Sequence, residues 1–199
     1  AMLHSPRYYK FLNEPHRITR ANLMIQDLID SAQTGVDMIQ LPTGGEQQTF
    51  YGRISQGKMI AEVPFPKDAE REFQAEYGMA LPKWQTVYEE MEQIKLGAPH
   101  CYPFLFIRKQ SNELTERMAR AIKQARPDAQ LDILCSGGGE LRRDVDIEAK
   151  APYLDNLEVE VPGASANLLD IKYGVKFPLA AMGNKGISVQ NHFLHWFPS

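Results

Sequence analysis

Apolar and polar positions along the first third of the chain repeat first with a helical and then with a strand period. From Thr19 the apolar residues Ala21, Met24, Ile25, Leu28 and Ala32 recur at helical spacing, and Gly35 closes the segment. Thr19 is a suitable N-cap for that helix. Residues 36–41 read as a strand. Residues 49–54 and 59–63 read as two more strands, joined by the hairpin signal Ser55-Gln56-Gly57-Lys58. A short helix is expected around residues 69–77, and Trp84, Val87, Tyr88, Met91 and Ile94 match a helical face, with a strand as the competing reading. Residues 102–107 form a dense apolar run, too short for an independent helix, and read as a buried strand. The clearest helix spans residues 111–129, with Ser111 as its cap and Pro127 marking its end. Its stripe is Leu114, Met118, Ala121, Ile122 and Ala125, while Arg117, Arg120, Lys123 and Arg126 lie elsewhere on it.

The last third reads as strands without helices between them. Residues 130–135 form an apolar strand that runs into Ser136, Gly137, Gly138 and Gly139. Consecutive glycines after a strand mark a tight corner where another group can come close. Residues 144–150 alternate strictly, with Val145, Ile147 and Ala149 against Asp144, Asp146, Glu148 and Lys150. Residues 157–161, 168–171 and 175–179 read as further strands, 183–186 as a turn and 187–197 as a closing helix. A parallel sheet needs a crossover after each strand, so the pattern favours an α+β chain of tandem antiparallel barrels or sheets. Residues 18–100 would form one unit and residues 101–199 a second, with the long helix at 111–129 inserted in it.

Composition narrows the function classes. The 199 residues carry a net charge of −3, which gives no footprint for non-specific nucleic-acid binding. No apolar run reaches the length of a membrane span, so membrane insertion is not expected. Cys101 and Cys135 form no CxxC pair and read as reduced thiols of a cytoplasmic protein. No cofactor or resident metal is expected.

Two catalytic patterns are weighed. Metal-dependent nucleases of the PD-(D/E)xK type place an acid on one strand and an acid-x-Lys on the next, so that carboxylates hold Mg²⁺ and the lysine orients water. Glu148-Ala149-Lys150 fits the second element with Asp132 as the first, and Asp170-Ile171-Lys172 fits with Asp146 as partner. A nuclease of this kind is the alternative reading, set against a solvated strand face. Cys135, His192 and His195 sit in no recognisable nucleophile or metal motif and read as packing residues.

The stretch Leu134-Cys135-Ser136-Gly137-Gly138-Gly139 resembles the strand-to-turn motif of PilZ-domain proteins of the YcgR type, keeping its Ser and final Gly. Residues 157–163 and 173–177 are similar to later strands of that domain, and Phe50-Tyr51-Gly52-Arg53-Ile54 to its N-terminal barrel. The resemblance implies a bacterial regulatory protein, not an enzyme, with no catalytic residues. It would act through a protein partner and bind cyclic di-GMP through arginines, which pair with phosphate and stack on guanine. Leu134 stands where the family has an acid or amide, and no two arginines stand four apart, so a protein partner is favoured over the nucleotide. If a nucleotide binds, the resemblance assigns it Arg108, Lys109, Arg142 and Arg143, with Ser136, Gly137, Gly138 and Gly139 lining the pocket. Inserted helices in such proteins drive self-association, a role open to residues 111–129.

Overall fold

The structure, a computed structural model, describes residues 14–42, 67–81, 97, 101–136, 146–161, 176 and 179–191. Within them α1 spans Arg17–Gln33, β1 Met38–Leu41, α2 Lys67–Tyr77, α3 Tyr102–Ala125, β2 Gln130–Ser136, α4 Ile147–Lys150, β3 Asn156–Val161 and β4 Gly186–Asn191. A single 3₁₀ turn, Ala151–Tyr153, follows α4. The four strands form one open sheet in the order β1-β2-β3-β4, and every neighbouring pair is parallel.

This overturns the expected tandem antiparallel barrels. The crossovers that a parallel sheet requires are present, but the first turns of α3 and the whole of α4 carry a strand-like pattern in the sequence. Residues 102–107 are not a strand: Pro103 sits in the first turn of α3, and the helix runs from Tyr102 to Ala125 without a break. Periodicity alone cannot separate a short apolar run from a buried helical segment. Ser111 is therefore no cap but a buried residue in the middle of a 24-residue helix. Residues 147–150 are likewise helical, because the Asp146 carboxylate accepts the Ala149 N–H at 3.1 Å and caps the turn. Lys176 and residues 179–182 are helical where a strand over 175–179 was expected. Residues 187–191, expected to open a helix, pair with β3 instead. The expected hairpin at 49–63, the helical face at 84–94 and the strand at 168–171 lie outside the described residues.

Two other expectations hold: α1 and the helix around residues 69–77 are both present. His16, not Thr19, is the N-cap of α1, and it makes no side-chain cap bond. The cap comes from α2, where Asp68 accepts the Arg17 N–H at 2.7 Å and the Ile18 N–H at 3.0 Å. Burial opposes ionisation of Asp68, but these backbone donors and the Arg17 guanidinium outweigh it and hold its pKa below the ordinary value.

Strand alternation gives the sheet two unlike faces. Ile39, Leu41, Leu131, Ile133, Leu157 and Val159 are buried in one core with Met24 and Leu28 of α1 and Phe106, Leu114, Met118 and Ile122 of α3. The alternate positions Gln40, Asp132 and Glu158 are buried too, yet polar. No helix among the described residues is long and apolar enough to cross a membrane.

Candidate functional site

A groove of about 480 Å³ runs along α3, facing α4 and the 3₁₀ turn. Leu105, Arg108, Lys109, Asn112, Glu113 and Glu116 line it from α3. They fall at three- and four-residue steps, and one stripe of the helix therefore carries them all. Asp146, Ala149 and Tyr153 line it from the other side.

The groove is polarised along the helix. Its N-terminal end carries Arg108 and Lys109, and Glu113 and Glu116 follow toward the C-terminus. At 1.5 Å per residue the two ends are separated by about 6–12 Å. Most of the charges have internal partners. Arg108 donates to Asp146 Oδ2 through Nε at 3.0 Å and pairs with it through Nη2 at 2.8 Å. The Asn112 amide donates to the same oxygen at 3.3 Å. Lys109 Nζ meets both Glu76 oxygens at 3.1 and 3.3 Å, and that contact raises its pKa. Glu116 bonds Arg120 at 2.8 Å and also Tyr153, and these contacts lower its pKa. Asn112 Oδ1 is enclosed without a hydrogen-bond partner among the described residues.

Next to the groove, Lys150 fastens the C-terminal end of α4 to α3. Its Nζ, on a fully buried side chain, donates to Ser111 O at 3.0 Å and to Ser111 Oγ and Thr115 Oγ1 at 2.8 Å. A buried ammonium requires such saturation.

The second cluster is the polar row across the sheet. Gln40 Nε2 donates to Glu158 at 2.9 Å and to Asp132 at 3.4 Å, and Asn156 Nδ2 donates to Asp132 at 2.8 Å. Burial pushes the Asp132 carboxyl above its ordinary pKa, against the opposing pull of the Asn156 and Gln40 amides. A Cβ at Gly186 would come within 2.7 Å of Asn156 Oδ1, so the bare backbone there gives the amide its place beside Asp132.

Of the residues named from sequence as ligand contacts, Arg108 and Lys109 share the groove. Ser136 ends β2, paired in register with Glu160. Gly137, Gly138, Gly139, Arg142 and Arg143 lie outside the described residues. The nuclease set does not assemble on adjoining strands: Asp146 caps α4, Glu148 is exposed on it and Lys150 is enclosed against α3. Asp170 and Lys172 lie outside the described residues. Among the described residues no group of three His, Cys, Asp or Glu side chains is placed to hold a metal ion.

Sequence reasoning missed Asn112, Glu113, Glu116 and Tyr153 in the groove, and Gln40, Asn156 and Glu158 in the polar row. The groove residues follow Arg108 at helical spacing and become visible once α3 is traced back to Tyr102. The polar row had a signal as well, an acid within the apolar strand at Asp132 and another between Leu157 and Val159. No family model matches this chain, and no curated protein matches it either.

Proposed function

We propose that this chain is a non-catalytic regulatory module that binds a phosphorylated small molecule in the α3 groove and signals to a protein partner. The observation that carries the reading is the convergence of Arg108 and Lys109 on one groove with carboxylates further along it. Guanidinium and ammonium groups recognise phosphate. The Glu113 carboxylate suits an N–H or O–H donor at the other end of the same ligand. Both cations lie at the surface, with side chains 40% and 52% exposed, so an arriving anion reaches them without unfolding α3. The polar row under the sheet supports the fold in this reading and is not assigned a ligand.

Calorimetric titration with cyclic di-GMP, and with inorganic pyrophosphate as a minimal probe, tests the proposal. A charge-assisted hydrogen bond contributes about 1.5–3 kcal/mol. Saturable binding should therefore weaken at least roughly tenfold in the Arg108→Ala/Lys109→Ala double variant. Binding that the double substitution leaves unchanged would remove the groove from this role. Absence of heat from both ligands would reject the phosphate reading.

A further inference from the structure

Asp146 stands in the groove as a carboxylate bound to the cation that an arriving anion requires. Its two oxygens do different things. Oδ1 caps α4 through the Ala149 N–H at 3.1 Å, and Oδ2 takes Arg108 and Asn112. The C-terminal end of α4 is held separately, by Lys150 on Ser111 and Thr115.

We infer that Asp146 is an autoinhibitory internal competitor for Arg108, displaced when an anionic ligand enters the groove. The inference rests on the phosphate reading above and adds its regulation. An anion on Arg108 takes the guanidinium away from Oδ2 and leaves the Asn112 amide free to donate as well. Asp146 then loses its polar tie to α3, while the buried Ile147 and Lys150 side chains keep α4 in place. The N-cap residue shifts and the short helix does not detach. Ligand occupancy is thereby converted into a change in surface shape beside Tyr153, where a partner can sense it. The exchange is between ion pairs of similar kind on a half-exposed surface, so the balance is close enough for a ligand to tip it.

The variant that isolates the contact is Asp146→Asn. Asparagine remains a good N-cap and still accepts from the Ala149 N–H, but it carries no charge to hold Arg108. Pyrophosphate should bind this variant roughly two- to fivefold more tightly than the native chain, the worth of a half-exposed ion pair. In the native chain, saturating pyrophosphate should speed amide hydrogen exchange across residues 146–150 and leave β2 and β3 unchanged. Tighter binding by Asp146→Asn with faster exchange at 146–150 supports the inference. Equal or weaker binding by the variant overturns the competition and leaves the phosphate site standing. Failure of both proteins to bind overturns the site and the competition together.

Discussion

The two attachments of α4 to α3 use the same pair of elements and opposite physics. At Lys150 the charged atom is enclosed and meets three oxygens within 3.0 Å. At Arg108 the ion pair to Asp146 is 2.8 Å long, but the two side chains are 40% and 22% exposed. The salt bridge, no longer than the lysine contacts, is the weaker link, because water and salt compete for both partners. The lysine is the stronger one because no solvent replaces what it would lose. Of these two polar contacts, Lys150 is thus the pivot and Arg108 the release.

The largest expected effect comes from the pivot. Lys150→Ala leaves a cavity and removes the donor to the Ser111 carbonyl, and should lower unfolding free energy by about 2–4 kcal/mol in urea titration. A loss under about 1 kcal/mol would show that the buried contact is no stronger than a surface one and would erase the contrast.

Between the extremes lies Asp68, whose side chain is 9% exposed and which caps α1 from α2. Asp68→Ala should cost about 1–2 kcal/mol, as loss of an N-cap does. Its pKa is lowered in the fold. Its contribution is therefore complete above the ordinary aspartate pKa and disappears as pH falls through the lowered value. Urea unfolding across that acid range should show a steeper decline for the native chain than for Asp68→Ala; parallel curves would deny the cap its role.

The smallest effect belongs to the release. Arg108→Ala should change stability by about 0.2–1 kcal/mol, and the change should shrink further in high salt. A salt-independent loss would mean that Arg108 is part of the scaffold and not a contact that a ligand can open.

Much of the local structure was legible in the sequence, and the architecture was not. The helix at α1 was read from Met24 and Leu28, and β2 and β3 from residues 130–135 and 157–161. The sheet's direction was lost on two short stretches. Tyr102 to Ile107 is apolar enough to pass for a buried strand, and residues 144–150 alternate so cleanly that a helical turn inside them leaves no periodic trace. With the first turns of α3 and the whole of α4 read as strands, antiparallel pairing follows. The groove was half legible for the same reason: Arg108 and Lys109 were named, but as the end of a strand, and their helical neighbours Asn112 and Glu113 went unread. Asp146 and Lys150 were picked out for their chemistry, and both carry specific contacts, as cap and as anchor.

The strand order has a consequence for how the chain assembles. Partners across β2 and β3 are 24 residues apart, as in Asn156 and Asp132, whereas Gln40 and Asp132 on β1 and β2 are 92 apart. Closing the longer loop carries an extra entropic penalty of about 1 kcal/mol. On a ribosome β1 emerges first and pairs late, waiting for nearly half the chain to follow. Sequence separation thus favours β2, β3 and β4 as a local seed, with β1 the described strand that joins from furthest away.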